Sequence, residues 1–269
     1  MPGLKYPIPN VPMLGKGSVL LDRFDPVTGL STGFQHLGNC SVFELEDKPD
    51  KAKLFSGMNS TVSLIASALK KREPSITIKG TDFNSNHMAI AAISAAKSTL
   101  ATGATTFTAE GLISAVQTAN ALGRYFQLLN RNVDNVTTPP VLTQAPSTTL
   151  VAGTDYVVAD AQMGLIYIPL TSTIDTTGAH AITATYHTLV GSLDQVAGAS
   201  IPFVKGHILF SPDPVDGQKI GCDVWRVNLS ANGKIGLIAD DYGNWELEGD
   251  ILDDTANHPS APFYQYTFF

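Results

Sequence analysis

Apolar and polar residues alternate most cleanly between Asn244 and Leu252. Trp245, Leu247, Gly249 and Ile251 fall on one face, and Glu246, Glu248 and Asp250 on the other. A two-residue period of this kind predicts a strand with one face in a core and one in water. The same period runs from Cys40 to Glu46, with Val42, Glu44 and Glu46 opposite Phe43 and Leu45, and returns over Ser75–Lys79 and Ala181–Thr188. Ser18–Phe24 and Gly33–Leu37 read as a hairpin around Asp25-Pro-Val-Thr-Gly29, where Pro26 presets φ and Gly29 supplies left-handed backbone. Val151–Tyr156, Gly164–Pro169 and Ile201–Phe210 are further apolar β runs, and Pro212–Gly217 is a turn. Cys222–Leu229 and Ile235–Ala239 read as a second hairpin across Asn232-Gly233, a strong tight-turn pair.

Helical spacing is scarce. Met88, Ala92, Ala95 and Thr99 recur at intervals of three to four and predict one helix over Met88–Leu100. Ser85 or Asn86 can cap its start and Gly103 stops it. Phe107–Leu129 is ambiguous, with helical alanine spacing inside it. Residues 47–66 have no clean period and read as a long loop, with a short helix over Val62–Leu69 as the alternative. Residues 1–17 form an arm punctuated by Pro2, Pro7, Pro9, Pro12, Gly15 and Gly17.

Composition sharpens this picture. Charged residues make up 15% of the 269, against roughly 25% in an ordinary soluble domain, and Ser and Thr fill the gap. That favours extended structure and a surface partly hidden against other copies. No apolar run reaches the length of a membrane-spanning helix, and the N-terminus lacks the apolar core of a signal peptide. Cys40 and Cys222 are too few for a disulfide scaffold or a four-ligand zinc site.

The net charge of −7 sits wholly beyond residue 205, where three basic side chains face ten acidic ones. A basic segment runs the other way, with Lys48, Lys51, Lys53, Lys70, Lys71 and Arg72. An acidic chain is a poor candidate for gripping nucleic acid, which needs a Lys and Arg excess. It suits a surface along which a polyanion slides, and Glu44, Glu46, Glu246, Glu248 and Asp250 are the candidates for such a surface.

Catalytic patterns are absent. The six histidines do not fall at metal-ligand spacing, Gly15-Lys-Gly17 leads into a strand rather than a helix, and no nucleophile elbow occurs. Asp240-Asp241 and Asp253-Asp254 read as solvated turn residues, with acid–base or metal chemistry as the lesser alternative. No enzyme activity, cofactor or metal is expected.

The order of elements resembles the tail tube (major tail) proteins of tailed bacteriophages. The likeness rests on Gly15-Lys-Gly-Ser-Val-Leu-Leu-Asp22, His36-Leu-Gly-Asn-Cys-Ser-Val-Phe-Glu-Leu45 and Arg72-Glu-Pro-Ser-Ile-Thr-Ile78. It continues through Asp82-Phe-Asn-Ser-Asn86, Gly153-Thr-Asp-Tyr156, Gly164-Leu-Ile-Tyr-Ile168 and Gly206-His-Ile-Leu-Phe210. It closes with Asp213-Pro-Val-Asp-Gly-Gln218, Asp223-Val-Trp-Arg226, Leu247-Glu-Gly-Asp-Ile-Leu-Asp253 and His258-Pro259. No single motif is specific; their order is.

The resemblance implies a mainly β fold, a tail-tube-type β-sandwich or barrel with one flanking α-helix. The core domain would comprise residues 18–103 and 201–269, preceded by the 1–17 arm and interrupted by an inserted segment or small β subdomain at 104–200. It implies six copies in a ring, with rings stacked into a tube that conducts viral DNA without binding it specifically. The five carboxylates would face the lumen, and the six basic residues would make contact between rings. Implied partners are sister copies, a tape measure protein and the tail terminator and distal tail proteins, with no membrane. The implied location is the virion tail, assembled in the host cytoplasm. A different class, a virion decoration or host-surface-binding module, is the alternative that the inserted segment favours.

Overall fold

The computed structural model describes residues 13–58, 62–178, 180–232, 235–238 and 240–269. Most of the N-terminal arm, Gly233 of the Asn-Gly pair and Ala239 lie outside them. The chain forms two compact units, one from residues 1–98 with 196–269 and one from 99–195. Both are built almost entirely of antiparallel strands.

In the first unit the chain runs through β1 (Gly17–Phe24), β2 (Ser31–His36), β3 (Cys40–Glu46), β4 (Pro49–Phe55), β5 (Leu64–Arg72) and β6 (Ser75–Gly80) to helix α1 (Ser85–Ala91). The pair β7 (Lys97–Thr102) and β15 (Gly191–Val196) carries it into and out of the second unit. The second unit holds β8 (Thr106–Ile113), α2 (Ala115–Thr118), β9 (Arg124–Gln127), β10 (Val141–Gln144) and β11 (Thr148–Thr149). It then adds β12 (Val157–Asp160), β13 (Leu165–Ile168) and β14 (Ile182–His187). The first unit resumes with β16 (Val204–Pro212), β17 (Ile220–Ala231), β18 (Trp245–Ile251) and β19 (Tyr264–Phe268).

The main sheet has the order β2-β1-β16-β17-β18-β6-β3, with β19 on the remaining edge of β17. β17 is long enough to pair twice along one edge, its first half with β19 and its second half with β18. The alternation read in β18 is realised: Trp245, Leu247 and Ile251 are buried, and the intervening acidic residues face outward. The inward residues of β1, β6, β16, β17 and β18 share one core with Ile90, Ala91 and Ile93 around α1. Phe43 of β3 stacks on Phe210 of β16 with centroids 5.1 Å apart, although three strands lie between theirs. In a flat sheet that separation would be roughly 19 Å, so the sheet curls tightly over its core. It does not close into a barrel, because among the described residues its end strands β2 and β3 are not paired to each other.

The β1–β2 hairpin forms around the turn that the sequence indicates. Gly29 sits at φ 71°, its N–H donates to the Asp25 carbonyl at 2.8 Å, and Asp25 Oδ1 accepts from the Val27 and Thr28 amides. The second unit has its own core. Sheets β11-β10-β14-β8 and β12-β13-β9 bury Ile113, Leu142, Ile166, Ile168, Ile182 and Tyr186, among others.

Several expectations fail for identifiable reasons. The helix over Met88–Leu100 is only α1, capped by Asn84 rather than Ser85 or Asn86, with Asn84 Oδ1 accepting from the His87 amide. It ends where Ile93 turns to φ 50°, which drives that side chain into the core. The Arg23 guanidinium then takes the Ser94 and Ala95 carbonyls. The segment after it, Lys97–Thr102, becomes β7. Within the 47–66 stretch that reads as loop, Pro49–Phe55 is strand β4, and the alternative helix over Val62–Leu69 is replaced from Leu64 on by strand β5, the two pairing as a hairpin. The alanine-spaced stretch Glu110–Leu122 holds the end of β8 and only the short α2, fixed by a Ser114–Gln117 capping box. Val151–Tyr156 is a turn held by Asp155 rather than a strand. No strand forms over residues 235–238; the partner of β17 across that loop is β18.

Candidate functional site: an acidic sheet face

The main sheet places the five candidate carboxylates on one outward face. Three registered rows cross β3, β6 and β18: Val42–Lys79–Glu246, Glu44–Thr77–Glu248 and Glu46–Ser75–Asp250. Within a row the outer residues are two strands apart, roughly 10 Å. That is about one Debye length at 0.1 M salt, whereas successive carboxylates along one strand are roughly 7 Å apart and repel more strongly. On the far side of β18 the rows continue into the uncharged Ser230 and Asn228 of β17. The face therefore alternates carboxylates with small hydroxyls and amides.

Two cations belong to this face. Lys79 Nζ lies 3.0 Å from Glu246, and Lys48 Nζ lies 3.0 Å from Glu46. Hydrogen bonding and attraction from Glu46, joined by Glu248 and Asp250, hold the Lys48 ammonium above its usual value. Five carboxylates against two ammonium groups leave the face negative.

The other basic candidates sit apart from it on the β4–β5 hairpin. Lys51 and Lys53 are on β4 and Lys70, Lys71 and Arg72 on β5. Lys71 pairs with Glu73 at 2.8 Å and Arg72 with Asp47 at 3.5 Å, while Lys51, Lys53 and Lys70 have no ion-pair partner among the described residues. Lys48 is thus drawn to the acidic face and separated from the five with which it forms a run in sequence. The hairpin is exposed along nearly its whole length and carries uncovered Leu54, Phe55, Leu64, Ile65 and Leu69.

The neighbouring Asp253 and Asp254 carboxylates take different partners. Asp253 bonds Thr255, whereas Asp254 is buried against His258 at 2.8 Å and Asn257 at 2.9 Å. The His258 hydrogen bond is the main reason the Asp254 carboxyl lies below the ordinary range. His258 stacks on Trp225, which in turn lies against His207 and, beyond it, Phe34. Sequence reading missed this aromatic file. Its members come from four separate segments, and only the pairing of β1, β2, β16 and β17 brings three of them together.

Fold and face define a class: a two-unit, antiparallel β protein whose larger unit presents a negative sheet surface. The chain belongs to the family described as Protein of unknown function UCP028589, whose model matches residues 12–267. No curated protein matches it.

Proposed function

We propose that the protein is a structural subunit of a bacteriophage tail tube, repeated around a hollow axis with the acidic sheet face toward the lumen. The observation that carries this reading is the convergence of Glu44, Glu46, Glu246, Glu248 and Asp250 on one sheet face, interleaved with small polar residues. Repeated around an axis, such a face gives a negative wall that a passing polyanion does not wet. Two further features support it. The curled sheet has open edges at β2 and β3, which sister copies would complete into a continuous wall. The β4–β5 hairpin is a two-stranded ribbon with uncovered apolar side chains, an arrangement that is marginal in water without a partner. In this reading the hairpin bridges successive rings, with Lys51, Lys53, Lys70, Lys71 and Arg72 against the acidic end of a neighbour. Each such exposed pair contributes about 0–1 kcal/mol and weakens with salt.

Negative-stain microscopy of the concentrated, purified chain tests the assembly, with rings or tubes expected. Virions carrying Glu246→Lys with Glu248→Lys test the lumen: tubes form, but DNA ejection slows or stops. Normal ejection from such virions overturns the lumen assignment.

The separate core of residues 99–195 favours a second reading, in which the protein is a virion decoration that binds the host surface. A chain that stays monomeric at high concentration and binds host cells selects it.

A further inference from the structure

The loop between β17 and β18 presents an uncovered apolar and acidic tip. Leu237 is 79% exposed, Ile238 98% and Tyr242 94%, and Asp240 and Asp241 stand among them. The base of the loop is fixed. Ile235 packs on the main core, and Gly243 lies so close to the Gly236 carbonyl and the Phe83 ring that a Cβ there would be 2.7 Å from the Gly236 oxygen. Leu237, Ile238, Asp240, Asp241 and Tyr242 therefore stand exposed next to a fixed base.

A groove of about 670 Å³ lies elsewhere in the same unit, with Phe24, Phe203 and Trp225 beside Arg23, Lys205 and Arg226. Its carboxylates are already engaged: Asp25 by its own turn and Asp254 by His258 and Asn257. Arg23 is held by the Ser94 and Ala95 carbonyls. Lys205 has no ion-pair partner among the described residues, and Arg226 reaches Asp254 only at 3.9 Å. The uncommitted charge of the groove is positive and its walls are aromatic. The loop tip has the opposite charge and matching apolar side chains.

The two features cannot meet within one chain. The loop leads into Trp245 at the start of β18, whereas the groove lies beyond the other end of that strand, where the Leu252 amide bonds the Arg226 carbonyl. Seven extended residues separate them, roughly 20 Å.

We propose that Leu237, Ile238, Asp240, Asp241 and Tyr242 of one copy dock in this groove on the next copy. Leu237, Ile238 and Tyr242 pack against Trp225 and Phe203, and the Asp240–Asp241 carboxylates meet Lys205 and Arg226. The contact joins two different surfaces, so it propagates from copy to copy as a ring or filament. It rests on the multi-copy reading above and names one of its interfaces.

The test mixes ¹⁴N- and ¹⁵N-labelled full-length chains carrying a benzoylphenylalanine photocrosslinker at Tyr242, and maps crosslinked peptides by mass spectrometry. Crosslinks between labels, from Tyr242 to residues 201–205 or 225–226, are expected. Asp240→Lys with Asp241→Lys, and separately Lys205→Glu, should each raise the concentration needed for assembly at least tenfold, with unchanged circular dichroism. Mixing the two variants should recover part of that loss. Assembled chains that crosslink elsewhere, or charge variants that assemble like the parent, overturn this interface and leave the tube reading standing. A parent chain that stays monomeric at every concentration and yields no crosslinks between labels overturns both.

Discussion

Single side chains set two stability limits in the larger unit. Gly80 lies under the Trp245 indole, so near that a Cβ there would sit 2.1 Å from Cζ2. The indole is rigid and its N–H donates to the Asp82 carbonyl, so it cannot yield. Gly80→Ala should cost about 1–3 kcal/mol and Trp245→Ala about 3–5 kcal/mol, read from urea midpoints. The second limit is acid. Burial pushes the His207 imidazole below its usual value despite Asp223 nearby. The folded state then resists a proton that the unfolded state accepts, so stability falls as pH drops below about 6.5. Hydrogen bonds hold the carboxyls of Asp25 and Asp254 low in the folded state. Their contribution is complete above about pH 4 and disappears as pH falls through the lower folded values. The urea midpoint should therefore decline in two stages. The upper stage should be absent in His207→Phe, which keeps a ring between Phe34 and Trp225.

At the scale of elements, what the sequence disclosed depended on whether each strand met a core. β18, β3 and β6 bury one face, so their alternation was visible and the five carboxylates could be assigned to outward positions before the sheet was known. β4 and β5 bury almost nothing, so no burial pattern was imposed on their residues. The alanine, leucine and lysine content of β5 imitates helix. α1 was overextended because spacing alone does not report the left-handed turn at Ile93 or the claim of Arg23 on the carbonyls that follow. The aromatic file and the groove were illegible because pairing of distant strands creates them. The hairpin itself makes a sharp prediction. In the isolated chain its amides should exchange with deuterium far faster than those of β17, and in the assembled state they should become protected. The Glu73 amide already bonds the Lys48 carbonyl at 3.2 Å, so replacing residues 49–72 by two or three glycines should leave the sheet folded and, under the proposed tube assembly, should prevent the stacking of rings.

For the molecule as a whole, the two hydrophobic clusters have no residue in common, and each should melt as its own cooperative transition. A fragment spanning residues 97–196 should fold alone, with sigmoidal urea unfolding and dispersed amide resonances. The paired strands β7 and β15 bring the outgoing and returning chain together, with Thr99 Oγ1 donating to Asp194 Oδ1 at 3.2 Å. Such a stem closes locally whatever lies beyond it, so its loop entropy changes only slowly with the length of the intervening chain. Anything whose own termini lie side by side could be spliced there in place of residues 103–190: an enzyme, an epitope or a fluorescent reporter. In a repeating assembly, each graft would recur once per subunit, making the particle a scaffold for dense molecular display.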